Sequence, residues 1–569
     1  MNTSGKFKYN FRKYPVIRAL ILLGIIALIL GTVFFINKQR TPIPEIESID
    51  PPVGAPGDVI VISGKNFGDV RDMSYVEFSG AKLTASSYIS WSEDKIKIVL
   101  PANVQDGLVV VGTKNLRSKP SLFANEVNIP IPVTNSRVIT KPVITEITKS
   151  KVSVGDLLVI TGNNFGDVRN QSKVLFTIDY NKKIAEAEYK NVSMFTENMI
   201  SANDDNFDYV SWSNTEIKVY IPDGACSGVI VVDKELEKSD PYNITITQDA
   251  GSKNYINKKI YLLQYTVDIA DVVTTDTATI TLRSPVPAIY SAQPTLEITE
   301  VSPEPVLTNY QHDMIQQISK SKSNLPKTVA SQSFVLPVYE IQSNIVPERI
   351  GQYRETNEAL YAMFTESDEL VPSDDEKIVE LSTNIAGKEK NPYKKAKLIY
   401  DYMCDNYKVD EKYRKNDSNP LDLLRRGRGD SYDFAVIYTA LLRSAGIPAI
   451  TDAGILVCQD MMTQPHWWCE FYLQDFGWLP VDPAIGAGLS YRVWQEGDEV
   501  NVREYNFGNL DSHHIAFSRG WNQLRPFSQD NKIVQQPRSF ALQSIWEEAS
   551  SNIVKYSSFW TVPVVKGVY

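Results

Sequence analysis

Residue types that can attack an amide carbonyl occur in chain order between positions 431 and 482. Ser431 offers a hydroxyl, His466 an imidazole that could remove its proton, and Asp482 a carboxylate that could orient the imidazole. A serine hydroxyl reacts only if a closely placed base deprotonates it during the attack. Serine is also favoured as a helix cap, where it contributes about 1 kcal/mol. The residues therefore predict either a serine nucleophile or a helix cap at position 431.

The surrounding sequence predicts a helix followed by antiparallel strands, which would position these side chains. Apolar residues at helical spacing predict a helix over residues 431–445, with the serine in its first turn and Gly446 after its end. Side chains alternate over 466–471 as they do in a strand, and residues 475–477 predict a turn into a second strand that ends at Asp482.

Three motifs in this region resemble the transglutaminase-like core of the papain-like superfamily. The family pattern GDC-x-D-[FY]-A is matched at Asp430–Ala435, H-x-W-x-E at His466–Glu470, and D-P at Asp482 with Pro483. The resemblance covers residues 390–485 and implies an α+β domain that acts on amide groups of glutamine or peptides. It implies that the catalytic positions are Ser431, His466 and Asp482. It also implies neighbouring binding positions at Trp468, Asp430 and Tyr432.

One position departs from the family pattern, because Ser431 stands where the family has its nucleophilic cysteine. A thiol at a helix start beside a charged imidazole ionises readily, whereas a hydroxyl gains no such ionised fraction. We therefore favour a domain that has lost covalent chemistry and binds a peptide or protein. The alternative is a serine-dependent amide hydrolase or acyl transferase, in which His466 is the general base and Asp482 orients it.

None of the four cysteines is expected to replace the missing nucleophile. Cys469 is three residues from His466 on one strand, so the two side chains should face opposite ways. Cys404 lies on a predicted helix, and Cys226 and Cys458 carry no motif. Cys458 and Cys469 could lie on neighbouring strands, so a disulfide between them stays open outside the cytosol.

No metal or other cofactor is predicted. Asp511, His513 and His514 are adjacent, but neighbouring residues of a strand face opposite ways, which disfavours a shared metal site. We expect these histidines to pack near the core. No calcium-binding loop can be recognised.

The composition and the first residues indicate where the protein works. The 569 residues carry a formal net charge of -10, which argues against a nucleic-acid partner. A basic tail over 1–18 precedes an uncharged apolar run over 19–36 that is long enough to span a bilayer. The charge bias predicts an uncleaved single-pass anchor with a cytoplasmic N-terminus and an extracytoplasmic bulk. A cleaved signal peptide is the alternative. Residues 37–44 are predicted to form a linker.

An internal repeat predicts two tandem β-sandwiches. The segment from Gly57 to Arg71 recurs from Gly155 to Arg169, with short alternating strands and Gly and Asn turns. The pattern is similar to the immunoglobulin-like IPT/TIG fold, over 45–135 and 140–248. We interpret this pair as a stalk, and a binding role is the alternative.

The remaining sequence completes a multidomain prediction. Alternating strands predict a β-rich domain over 255–345. Helical patterns then predict a transglutaminase-like domain with a C-terminal extension over 350–569.

Overall fold

The computed structural model describes most of the chain beyond residue 42. The described residues are 43–71, 74–79, 81–83, 87–101, 104, 107–113, 116–125, 140–180, 198–234, 237–320, 327–354, 359–414, 419–490, 501–521, 524, 526, 531–535 and 538–569. The predicted basic tail and transmembrane helix lie outside these residues. Among the described residues, no helix is both long and apolar enough to cross a membrane. The chain divides into two compact units, Met1–Pro132 and Val133–Tyr569.

The first unit contains a β-sandwich. Its strands are β1 (Glu45–Asp50), β2 (Val53–Gly54), β3 (Val59–Lys65), β4 (Tyr75–Phe78), β5 (Ala81–Lys82), β6 (Tyr88–Trp91), β7 (Lys95–Val99), β8 (Gly107–Thr113), β9 (Leu116–Arg117) and β10 (Ser121–Asn125). One sheet has the order β1-β3-β7-β6, and the other has β2-β10-β8-β4-β5 with β9 on β8. Alternate residues such as Ile60 and Ile62 point inward and are completely buried, as the period of two requires.

The second unit begins with a sandwich of the same topology. Its strands are β11 (Val143–Ile147), β12 (Lys151–Val152), β13 (Leu157–Asn163), β14 (Lys173–Ile178), β15 (Met199–Ser201), β16 (Tyr209–Trp212), β17 (Glu216–Tyr220), β18 (Ala225–Lys234), β19 (Glu237–Lys238) and β20 (Tyr242–Ile246). The sheet orders β11-β13-β17-β16 and β12-β20-β18-β14-β15, with β19 on β18, repeat those of the first sandwich. Equivalent tryptophans support this match, because Trp91 Nε1 donates to Phe67 O and Trp212 Nε1 to Phe165 O.

A β-rich domain follows the second sandwich. Its strands are β21 (Gly251–Thr274), β22 (Ala278–Pro285), β23 (Glu297–Ser302), β24 (Leu307–Tyr310), β25 (Asp313–Lys320) and β26 (Thr328–Ile345), after which Pro347–Arg349 form a 3-10 helix. The long strands β21 and β26 pair antiparallel along most of their length. Alternation along β21 buries Tyr261, Leu263 and Tyr265 in one core.

The segment after the β-rich domain combines helices with an antiparallel sheet. Its helices are α1 (Ala359–Thr365), α2 (Glu376–Ala386), α3 (Pro392–Asn406), α4 (Asp422–Arg426), α5 (Ser431–Ser444), α6 (Pro483–Gly486) and α7 (Val502–Tyr505), and its strands are β27 (Lys408–Val409), β28 (Arg428–Gly429), β29 (Ala449–Val457), β30 (Thr463–Leu473), β31 (Gly477–Val481) and β32 (His514–Arg519). The sheet order is β31-β30-β29-β32. The prediction of a helix over 431–445 is thus accurate to one residue.

The two faces of this sheet are buried by different neighbours. Trp467, Cys469 and Phe471 of β30 share a core with α5. Trp468, from the opposite face, packs in a separate cluster with Tyr255 and other residues of the second sandwich and the β-rich domain. Strand alternation separates the two sets, and burial on both faces leaves every residue of β29 and β31 buried.

The C-terminal tail corrects one predicted boundary. Strands β33 (Lys532–Val534), β34 (Glu547–Ala549), β35 (Ile553–Trp560) and β36 (Val564–Val568) belong to the sheets of the β-rich domain. β35 and β36 pair with β21, and β34 pairs with β22. The domain predicted over 350–569 therefore loses this tail, because ladder hydrogen bonds join the tail to strands of the 255–345 segment.

Candidate functional site

The start of α5 presents the residue at the nucleophile position. Asp430 is the N-cap: its side chain accepts from Asp433 N at 3.2 Å, while Asp433 accepts from Asp430 N at 3.2 Å. This reciprocal pair forms a capping box. Ser431 is consequently the first helical residue, and the helix-cap interpretation of Ser431 is wrong. Its hydroxyl lies where the positive end of the helix dipole acts.

Two arginines balance the buried carboxylates of the capping box. Arg538 Nη1 donates to Asp430 Oδ2 at 2.9 Å and Arg538 Nη2 to Asp433 Oδ1 at 3.2 Å. Arg414 forms ion pairs with both aspartates. The Arg538 guanidinium also lies 4.1 Å from the centroid of the Tyr432 ring. Because buried charges require partners, these contacts explain how two acids tolerate complete burial. Arg538 comes from the C-terminal segment, and the sequence prediction missed it.

His466 and Asp482 form the pair predicted from the sequence. His466 Nε2 lies 2.5 Å from Asp482 Oδ2, and both side chains are buried. Asp482 is also the N-cap of α6, where Oδ1 accepts from Ala484 N at 3.0 Å and Ile485 N at 2.8 Å. Burial alone would raise the pKa of Asp482, but the charge and hydrogen bond of His466, with those of His514, hold it below its usual value. The carboxylate is therefore ionised and accepts a hydrogen bond from the N–H group at His466 Nε2. The other ring nitrogen, Nδ1, is then the one that could act as a base.

A second histidine completes the site. His514 Nε2 lies 3.2 Å from Asp482 Oδ2, and His514 Nδ1 lies 2.9 Å from Asp511 Oδ1. Burial would lower the pKa of His514, but Asp511 and Asp482 raise it to about 9. The sequence prediction assigned His514 to packing and missed this role. The spacing of Asp511 and His514 by three residues was the available signal, and it did not indicate which strand would lie beside Asp482.

His513 points elsewhere, as the alternation predicted. Its Nδ1 lies 3.1 Å from Val457 O and its Nε2 lies 2.8 Å from Lys259 Nζ. Close packing of β29 between β30 and β32 brings the other rings together. Gly454 pairs with both His466 and Ala516, and a Cβ on this glycine would lie 1.9 Å from Ile515 O. Only glycine permits this approach of the strands.

Ser431 lies in the same motif region but is not hydrogen-bonded to His466 in the described part of the structure. Ser431 is 4% exposed and His466 1% exposed, so neither presents an open surface to a large substrate. Trp468 stacks on His466 with ring centroids 6.2 Å apart and is fully buried. Asp430 is buried as well. Among the three predicted binding residues, therefore, Tyr432 alone keeps partial exposure, and the other two support the site from within.

The last residue of the histidine motif belongs to a buried charged cluster. Glu470 forms an ion pair with Arg519. Asp452, on the neighbouring strand, is 1% exposed, and neither of its carboxylate oxygens has a hydrogen bond. Burial, followed by the charge of Glu470, raises the pKa of Asp452 well above its usual range, although Arg519 opposes this. Strongly perturbed acids of this kind concentrate at functional sites.

The cysteines offer no substitute nucleophile. Cys469 Sγ donates to Ala435 O at 3.2 Å, on the α5 side of the sheet, whereas His466 faces Asp482. Burial raises the pKa of Cys469 well above the ordinary thiol value. Burial also raises the pKa values of Cys226 and Cys404 to about 12. Cys458 and Cys469 are both described and are not joined by a disulfide, so the bond left open between them is absent.

One group of described residues has donor atoms that could hold a metal ion. His466, Asp482 and His514 each offer one ligand atom, and these atoms lie within 4.8 Å of one another. Imidazole and carboxylate ligands suit zinc and similar divalent ions. The same atoms are already joined by hydrogen bonds, so the arrangement fits protons between these atoms as well as it fits a metal ion.

Comparisons with known proteins match two segments of the chain. The transglutaminase-like superfamily model matches residues 379–483, and the IPT/TIG domain model matches residues 44–124. The segment 379–483 is thus a transglutaminase-like domain, in a multidomain and strongly β-rich chain that also contains an immunoglobulin-like IPT/TIG domain.

Two curated proteins are similar to parts of the chain. A protein of Haemophilus influenzae described as uncharacterized is 30% identical over 168 residues, which are 25% of this chain and 46% of that protein. A cyclomaltodextrin glucanotransferase of Paenibacillus macerans is 28% identical over 120 residues, or 21% of this chain and 16% of that enzyme. The chain therefore spans less than half the length of these relatives.

Solved structures show distant similarity. A candidate cysteine protease from Cytophaga hutchinsonii is 15% identical with a TM-score of 0.32, covering 52% of this chain and 99% of that one. The periplasmic domain of TgpA from Pseudomonas aeruginosa is 12% identical with a TM-score of 0.24, covering 44% of this chain and 92% of that one.

Proposed function

We propose that the transglutaminase-like domain binds a peptide or protein without covalent chemistry, in an extracytoplasmic protein anchored by residues 19–36. One observation carries the proposal: His466 and Asp482 are paired as a catalytic histidine and aspartate would be, while Ser431 is almost fully buried and makes no hydrogen bond to His466 in the described structure. General-base activation of serine requires that hydrogen bond or a short path to it.

The electrostatics at the start of α5 support the loss of reaction. The helix dipole favours an anion at position 431, and a thiol can exploit this because its pKa is near 8.5. A hydroxyl cannot, and it depends on its base for every step. The start of α5 would stabilise a thiolate at position 431, but Ser431 carries a hydroxyl there in place of a thiol.

Tyr432 is where we expect the ligand to contact the domain. It is the second residue of α5 and partly exposed. Its ring packs edge-on against Trp467 with centroids 5.5 Å apart, and Arg538 covers it from another side. A fixed aromatic ring beside a guanidinium can bind a peptide backbone or side chain with little loss of conformational entropy.

The alternative function is a serine-dependent amide hydrolase or acyl transferase. It is favoured by the position of Ser431 at a helix start and by the ready-made pair of His466 and Asp482. Catalytic hydrogen bonds in ligand-free enzymes are often long and tighten when substrate binds. This alternative requires the residues that bury His466 to move, because its side chain is 1% exposed.

Ser431→Cys tests whether the scaffold persists without its nucleophile. We expect iodoacetamide to alkylate this variant near neutral pH faster than an ordinary thiol, because the helix start and His466 both stabilise the thiolate. Adding His466→Ala should slow the reaction. Ser444→Cys at the opposite end of α5 is the matched control, since the dipole there disfavours a thiolate. If Cys at 431 reacts no faster than Cys at 444, the site has decayed further than proposed.

The anchor is tested separately. Protease added to intact cells or spheroplasts should digest residues 41–569, because the charge bias places them outside the cytoplasm. Complete protection of this region, with digestion after lysis, would contradict the proposed topology.

A further inference from the structure

A cleft lies between the second sandwich and the segment that carries α1, β30 and β31. Both of its sides belong to the second unit, and neither Ser431 nor His466 is among its described lining residues. Aromatic side chains form much of its wall. These aromatic lining residues are Phe207, Tyr220, Tyr353, Tyr361, Tyr472 and Trp478.

Hydrogen bonds and ring contacts hold several of these aromatic side chains in place. Tyr353 Oη donates to Tyr472 O at 2.7 Å, and Tyr361 Oη donates to Gly446 O at 3.0 Å. The Tyr472 and Trp478 rings pack edge-on with centroids 5.6 Å apart. Rings that are already ordered lose little conformational entropy when a ligand binds, and the faces of such rings attract cations.

One buried acid lines the cleft without a matching positive charge. Asp208 is 5% exposed, and its Oδ2 accepts from Asn203 N at 2.7 Å. Among the described residues, hydrogen bonds reach only Oδ2 of this carboxyl group, and no ion pair includes it. Because a buried charge requires a partner, a cation in the cleft would stabilise the ionised form of Asp208.

The second sandwich departs from the first where it lines the cleft. Tyr209–Trp212 of β16 repeat Tyr88–Trp91 of β6 with the same strand pairing, so Asp208 corresponds to Ser87. Ser87 is also buried, which shows that the fold does not require an acid here. Phe207 has a φ of 58°, a left-handed conformation that is strained for a bulky residue. Strain of this kind is concentrated at functional sites.

The charged groups around Asp208 favour a positively charged ligand. Burial raises the pKa of Asp208 to about 8, and the charges of Asp223 and Asp204 add to this effect. The hydrogen bond from Asn203 N and the charge of Arg519 act in the opposite direction. Without a ligand, the carboxyl group therefore keeps its proton at pH 7, and a cation beside it would release that proton.

The two neighbouring acids already have partners. Lys253 forms an ion pair with Asp223. Arg169 forms one with Asp204. Asp208 is therefore the acid of this group whose charge a ligand would balance.

We propose that this cleft binds an alkylammonium cation, with Asp208 as the counter-ion and the aromatic rings around the apolar part of the ligand. Tyrosine and tryptophan rings attract such cations, and an opposite charge close by adds to the attraction. Two sources share this chemistry: the lysine side chain of a peptide or protein, and a free quaternary ammonium compound such as choline. The proposal is independent of the proposed function, which concerns residues at the start of α5.

Calorimetric titration of the full chain with four probes tests the proposal. The cations are Nα-acetyl-lysine amide and choline, and their neutral counterparts are Nα-acetyl-norleucine amide and 3,3-dimethylbutanol. We expect one of the cations to bind, which identifies the source, and its neutral counterpart to bind at least about tenfold more weakly. The affinity should rise between pH 6 and pH 8 by up to about tenfold per pH unit, because binding releases the proton of Asp208.

Variants of Asp208 supply the matched comparison. Asp208→Asn keeps the shape of the side chain and removes its charge, so it should weaken cation binding about tenfold or more and abolish the pH dependence. Asp208→Ser copies Ser87 and should have the same effect if the asparagine variant does not fold. Asp205→Asn is the control and should bind as the wild type does, because Asp205 pairs with His312 and is not among the described lining residues.

Three results would overturn the proposal. The first is that neither cation binds at millimolar concentration. The second is equal binding of a cation and its neutral counterpart. The third is undiminished cation binding by a folded Asp208 variant. An adduct at Ser431 would overturn the proposed function and leave these titrations unchanged, so the two proposals fail in different experiments.

Discussion

The charge on His514 predicts that the second unit loses stability as the pH rises. Its pKa in the folded protein is about 9, against 6.5 for an ordinary histidine. Below pH 6.5 both the folded and unfolded states are protonated, and the stabilisation is complete. Between 6.5 and 9 the unfolded chain has released a proton that the folded protein retains, so stability falls with pH. The difference between 9 and 6.5 corresponds to about 3.5 kcal/mol at about 1.4 kcal/mol per pKa unit.

Denaturant unfolding followed by tryptophan fluorescence would measure this effect, because Trp91 is the one tryptophan before residue 133 and the other eight report the second unit. The wild type should lose up to about 3.5 kcal/mol between pH 6 and pH 9.5. His514→Gln should be less stable at pH 6 and should lose much less over that interval, while His513→Gln should follow the wild type. Equal pH dependence in the wild type and His514→Gln would refute the reasoning.

Three further predictions concern neighbouring groups. Asp452→Asn should stabilise the protein at pH 7 by about 1–2 kcal/mol, because an unpaired buried acid is replaced by a neutral amide. Since folding raises the pKa of Asp452, this gain in the free energy of unfolding should shrink toward pH 4 when it is measured by denaturant unfolding. A gain that does not change with pH, or a loss of stability, would contradict this prediction. Arg538→Met should cost about 3–5 kcal/mol by leaving Asp430 and Asp433 underpaired, whereas loss of an exposed arginine, as in Arg425→Met, should change unfolding little. Acid should weaken the second unit through Asp482 and Asp511, whose depressed pKa values make their stabilisation disappear as pH falls, and a midpoint independent of pH below 5 would argue against it.

The local part of the site could be predicted from the sequence. Ser431 at a helix start follows from the apolar period of α5, and His466 and Asp482 follow from a strand, a turn and a second strand that are contiguous in the chain. Residue types and periodicity determine elements of this kind within a short window. The sequence alone could not decide whether Asp430 or Ser431 is the N-cap, because both residue types favour that position.

The long-range part could not be predicted. His514 reaches Asp482 only because β32 pairs with β29 and β29 with β30, and periodicity does not specify which strands pair. Arg538 and the tail strands pose the same difficulty, since β35 pairs with β21 from almost 300 residues away in the chain. Trp468 was predicted to face a ligand, but its strand is covered on both faces. Sequence patterns indicate that a face is apolar and do not indicate which domain covers it.

Labelling of the wild-type chain with a fluorophosphonate tests the central claim most directly. This reagent forms a covalent bond with a serine that a histidine base activates and leaves ordinary hydroxyls unmodified. Intact-mass analysis and peptide mapping of the wild type, Ser431→Ala and His466→Ala, with an active serine hydrolase as positive control, would locate any adduct. We predict no adduct at Ser431 in the wild type. An adduct at Ser431 that disappears in His466→Ala would contradict the account and establish a serine enzyme.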